Sequence, residues 1–63
     1  MKADVLREKS DQELRELEDQ LREELFRMRL KKYTNQLQQP HLIGQTRRDI
    51  ARIKTILGER RRA

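Results

Sequence analysis

The chain has 63 residues, a third of them hydrophobic and 43% charged, which is enough for one small domain, residues 1–63, and no more. Sixteen Lys and Arg against eleven Asp and Glu leave a net charge of +5, the balance of a small protein that meets a polyanion. With no cysteine, disulfides, thiolate metal sites and thiol nucleophiles are excluded, and no apolar run is long enough for a membrane span or an N-terminal signal peptide.

In chain order, residues 2–9 are expected to form a short N-terminal helix whose Val5 and Leu6 touch the rest of the fold. Ser10-Asp11-Gln12-Glu13 then reads as a capping box: the Ser10 hydroxyl takes the Glu13 N–H, and the Glu13 carboxylate reaches back to Ser10. A long helix over 11–34 follows. Leu14, Leu17, Leu21, Leu25 and Met28 repeat at three- and four-residue spacing and make one apolar stripe, uninterrupted by Gly or Pro. Asp11–Arg15, Glu18–Arg22 and Glu23–Arg27 are acid-before-base pairs at helical spacing, each contributing a few tenths of a kcal/mol.

The spacing predicts a turn over 35–39, because Asn35 tolerates the left-handed conformation that ends helices. Pro40 suits the first position of a second helix over 40–58, although Gln39 is a poor cap. Ile43, Thr46, Ile50, Ile53 and Leu57 form its apolar stripe, widened by Leu42 and Ile56; Gly58 ends it, and 59–63 is a basic tail. The fold class is all-α: a long antiparallel two-helix hairpin with a short N-terminal helix.

The charge is unevenly placed. Residues 1–24 carry five basic and nine acidic side chains, net −4, whereas 25–63 carry eleven and two, net +9. In a hairpin, Arg27, Arg29, Lys31 and Lys32 come near His41, Arg47 and Arg48, so a polyanion should bind at the turn half and along the second helix. Eleven of the sixteen bases are Arg, whose planar fork suits phosphate. The plainer reading of such charge runs is a solvated surface.

On a helical projection, Gly44, Ala51, Thr55 and Gly58 share one narrow stripe, bordered by Arg47 and Lys54 on one side and Arg48 and Arg52 on the other. Small residues between arginines would let a nucleic-acid backbone approach closely; alternatively they are merely exposed, or face a third segment. Phe26, Leu30 and Tyr33 lie roughly opposite the core stripe of the first long helix. Either the N-terminal segment or the turn covers them, or they meet a protein neighbour or a stacked base. His41 is a surface or turn residue, or a phosphate contact. With one His, no Cys and no glycine-rich phosphate loop, the sequence supports no metal, cofactor or small-molecule substrate, and a two-helix hairpin offers no pocket for catalysis.

Two stretches carry a family resemblance. Met1-Lys2-Ala3, Leu6-Arg7-Glu8-Lys9-Ser10 and Glu13-Leu14 form one; Gln36-Leu37-Gln38-Gln39, His41-Leu42 and Arg47-Arg48-Asp49-Ile50-Ala51-Arg52-Ile53-Lys54-Thr55 form the other. Over essentially its whole length the chain resembles bacterial large-subunit ribosomal protein number twenty-nine. The resemblance implies a cytoplasmic, non-enzymatic helical hairpin bound to large-subunit rRNA at the rim of the polypeptide exit tunnel. It also implies a ribosomal protein neighbour and proximity to nascent-chain factors such as trigger factor or signal recognition particle. RNA contacts carry over to Gln36, Arg47, Arg48, Arg52 and Lys54. The chain departs from the family in having Asn35 where Gly is common and Pro40 where Ser or Asn is common. The competing reading is a protein-interaction hairpin that dimerises into a four-helix bundle through its Leu and Ile stripes.

Overall fold

Ser10 starts the long helix as its chemistry dictates. Its hydroxyl accepts the Glu13 N–H at 3.2 Å, and its own N–H donates to the Glu13 carboxylate at 3.4 Å, completing the capping box. The computed structural model describes residues 2–36 and 39–62, and these hold three helices: α1 (Ala3–Arg7), α2 (Asp11–Tyr33) and α3 (His41–Arg62). Leu37 and Gln38 of the expected turn, with Met1 and Ala63, lie outside the described residues. The helices α2 and α3 pack along their length into a body of 44 × 17 × 16 Å, one hairpin long and two helices wide.

The end of α2 is closed by a Schellman motif. Asn35 takes a left-handed φ of 57° and its N–H donates to the Lys32 carbonyl at 3.2 Å, while the Gln36 N–H donates to the Lys31 carbonyl at 2.8 Å. Thr34 therefore caps the helix rather than belonging to it, its hydroxyl donating to the Lys31 carbonyl at 3.1 Å. Pro40 also sits one place outside its expected role: α3 begins at His41, and the Pro40 carbonyl accepts the Ile43 N–H at 3.2 Å.

The core is the seam between the two stripes. Leu14, Leu21 and Leu25 of α2 bury against Ile50, Ile53 and Ile56 of α3, with Leu17, Met28, Ile43 and Leu57 packed at the edges. Ile56, not Leu57, holds the deep position: Ile56 is buried, whereas Leu57 is half-buried at the edge of the core. From α1, Leu6 is fully buried, whereas Val5 stays half exposed.

The largest departure from the sequence reading is at the C-terminus. Gly58 does not end α3, since it does not take a left-handed φ, and the helix runs on to Arg62. The physical reason is Arg60. Its guanidinium donates to the Asp11 carboxylate at 2.8 Å and to the Arg7 carbonyl at 2.9 Å, so the expected tail is a helical turn latched to the α1–α2 junction. Asp11 thus pairs across the fold with Arg60, while Glu18–Arg22 and Glu23–Arg27 form within α2 at 2.8 and 3.1 Å. Arg60→Ala should cost about 1 kcal/mol, the range of a partly exposed charged contact. For a chain of this size that lowers Tm by roughly 5 °C, and Arg60→Lys should restore only part, because one ammonium does not reproduce the fork. Thermal unfolding followed by circular dichroism measures both.

The capping box makes α2 acid-sensitive. Hydrogen bonding to the Ser10 side chain, then to the Ser10 backbone N–H, holds the Glu13 carboxyl below the usual carboxylate range. Because the folded-state value is the depressed one, this contribution is complete above the ordinary range and is lost as pH falls through the depressed value. Helicity should decline through that window in an acid titration, and Glu13→Gln should remove this component of the decline.

Candidate nucleic-acid interface

Arg22, Leu25 and Arg29 recur at three and four residues on α2, and Arg47, Ile50, Ala51 and Lys54 do the same on α3. Packing the Leu25 and Ile50 sides together therefore brings the flanking cations of both helices to one side of the seam. Arg22, Arg29, Arg47 and Lys54 line a groove of 310 Å³ floored by Leu25, Ile50 and Ala51, with no Asp or Glu among its described lining residues. Arg47 also borders a second depression, with Gly44, Arg48 and Ala51, and a third toward the turn, with Arg29, Lys32, Tyr33 and Ile43. The result is a basic strip along one face of the hairpin, with Arg47 at its centre.

The expected binding residues do not all share this face. Arg29, Lys32, Gly44, Arg47, Arg48, Ala51 and Lys54 are brought together on it. Arg27 and Lys31 line a different depression with Glu24, Met28, Leu42 and Thr46, and Arg27 is paired with Glu23 at 3.1 Å. Arg52 is set toward Asp49, 3.8 Å away on its own helix. The Thr55 hydroxyl is exposed but turned back to the Ala51 carbonyl at 2.9 Å. Gln36 is exposed beyond the α2 cap, and His41 is exposed at the start of α3.

The small stripe is open. Ala51 is exposed, and a Cβ on Gly44 would meet only the Arg48 guanidinium, at 3.8 Å, so packing does not require glycine there. Arg22 is the residue that sequence reading passed over. It lies in the acidic segment and pairs with Glu18, and only its spacing from Leu25 and Arg29 reveals that it faces the groove.

Phe26, Leu30 and Tyr33 are 62%, 51% and 87% exposed. The N-terminal segment does not cover them, because α1 docks on α3, latched through Arg60 near the other end of the hairpin. Of the three, Tyr33 alone also lines the basic strip. No helix among the described residues is long and apolar enough to cross a membrane.

Compared with known protein families, residues 4–60 match the family described as Ribosomal L29 protein. The match spans nearly the whole chain, and the chain belongs to this family: it is a structural protein of the ribosome.

Proposed function

We propose that this ribosomal L29 family member binds large-subunit rRNA without catalysis, gripping phosphates along the strip formed by Arg22, Arg29, Lys32, Arg47, Arg48 and Lys54. The observation that carries the reading is the convergence of cations from both helices on one groove with no Asp or Glu among its described lining residues; of these cations Arg22 also pairs with Glu18 at 2.8 Å. Arginine forks engage phosphate oxygens in pairs, and the open Gly44–Ala51 stripe leaves room for a backbone to lie between them. Such binding positions an RNA without reading its sequence, and it weakens steeply with salt as counterions cease to be released.

Gln36, His41, Arg52 and Thr55 are proposed as peripheral RNA contacts, and Arg27 and Lys31 as a lesser basic surface on the other side of the hairpin. The site in the cytoplasmic large subunit is the polypeptide exit tunnel rim, where Phe26 and Leu30 meet a neighbouring ribosomal protein and nascent-chain factors such as trigger factor or signal recognition particle come near. These placements rest on the family. Dimerisation into a four-helix bundle is disfavoured because the Leu and Ile stripes already bury each other within one chain.

Crosslinking in purified large subunits tests the proposal. RNA adducts are expected at Arg29, Arg47 and Lys54, and protein adducts at Phe26 and Leu30. Protein adducts along the basic strip, with no RNA, would overturn it.

A further inference from the structure

The end of the basic strip nearest the turn differs from the rest in holding an aromatic ring. Tyr33 lines that depression with Ile43, Arg29, Lys32 and Arg47, so among the described residues one ring and one branched aliphatic side chain are framed by three cations and no acid. The ring is 87% exposed, yet its backbone is fixed: Tyr33 is the last residue of α2, and the Schellman motif immediately after it engages the Lys31 and Lys32 carbonyls. With its backbone ordered by the helix end, only the side-chain torsions of the ring remain to be fixed when a base stacks on it. Phe26 and Leu30 share the exposed side of α2, but neither lines the strip.

We infer that Tyr33 is a stacking platform for an unpaired RNA base, whose flanking phosphates are held by Arg29, Lys32 and Arg47. The inference rests on the phosphate-binding reading above and adds to it a preference for single-stranded nucleotides at this end of the groove. A protein partner would have to set a carboxylate against each of the three cations, whereas an RNA strand brings a phosphate with every nucleotide. An aromatic ring between cations is the arrangement by which single strands are held, one π face for each base and charge for the backbone. Ile43 adds apolar surface from α3 to the same depression.

The chain contains one tyrosine, one phenylalanine and no tryptophan, so emission excited beyond the phenylalanine absorption band reports Tyr33 alone. The full chain is titrated at low salt with a homouridine oligonucleotide and with an abasic ribose-phosphate oligomer of equal length and charge. The oligonucleotide should quench the emission and bind more tightly, whereas the abasic oligomer should bind by charge without comparable quenching. Tyr33→Ala should weaken oligonucleotide binding by about 5- to 150-fold, the range for one stacked base, and leave abasic binding unchanged. Tyr33→Phe should retain the preference. Equal binding of both oligomers by the parent chain, or no effect of Tyr33→Ala, would overturn the stacking site; if Arg29→Gln/Arg47→Gln still weakened both oligomers, the phosphate reading would survive it. Failure of the parent chain to bind either oligomer would overturn both. A photoreactive residue at position 33 in assembled subunits should give an RNA adduct, and a protein adduct there would overturn the inference.

Discussion

Ile53→Ala should remove most of the stability of the free chain. Ile53 is fully buried at the middle of the α2–α3 seam, and with Leu6 and Leu14 it is one of the largest side chains wholly withdrawn from water. Truncating such a residue costs about 2–5 kcal/mol, as lost transfer energy plus the cavity left behind. A 63-residue chain has only about 3–9 kcal/mol to lose. Ile53→Val, which removes one methyl group, should cost about 1 kcal/mol. Leu30→Ala, at a half-exposed position outside the core, should stay within roughly 0.5 kcal/mol. Urea unfolding of the three variants checks the ordering; a loss at Leu30 as large as that at Ile53 would mean that the fold buries the outer face of α2.

Arg47→Glu should have the largest effect of any single change on RNA binding. Arg47 borders all three depressions of the basic strip, so a carboxylate there would stand among Arg22, Arg29, Lys54, Arg48 and Lys32. Losing one charge-assisted contact of about 1.5–3 kcal/mol corresponds to roughly 10- to 150-fold in affinity, and the new negative charge repels the phosphate as well. Arg47→Lys keeps the charge but gives up the bidentate fork, so its loss should be smaller. Because position 47 is exposed, both variants should keep the parent's Tm. Titration against a large-subunit rRNA fragment at about 0.1 M salt measures the three affinities.

The hairpin was legible in the sequence wherever local chemistry decides structure. Ser10 and Glu13 announce the start of α2, Asn35 its end, and the Leu stripe of α2 and the Ile stripe of α3 define the faces that meet. The end of α3 was not legible. Arg60, Arg61 and Arg62 after a glycine read as a tail, and what makes them helical is an aspartate 49 residues away in sequence. The basic face was half legible for a similar reason. Counting charge by segment places the polyanion at the turn half, but a segment count ignores which side of a helix each residue occupies. It therefore groups Arg27 and Lys31 with Arg29, though they line opposite depressions, and it leaves out Arg22, whose neighbours in sequence are acidic. Exposure of the Phe26–Tyr33 face follows from where α1 docks, a tertiary fact set by Leu6 and Arg60.

The central claim is that one face of the hairpin, rather than its net charge, binds RNA. Two double variants of equal charge test it: Arg29→Gln/Arg47→Gln on the proposed face, and Arg27→Gln/Lys31→Gln on the other. Each lowers the net charge by two, so a purely global attraction would weaken both alike. The measurement is the dependence of log K on log salt for binding to the same rRNA fragment. If about six phosphates are neutralised, the parent slope lies near −4 to −5, and the first double variant should make it shallower by about 1.4–1.8 while losing affinity at every salt concentration. The second should keep nearly the parent slope and affinity. Equal changes in the two variants, or a larger change in the second, would contradict the account.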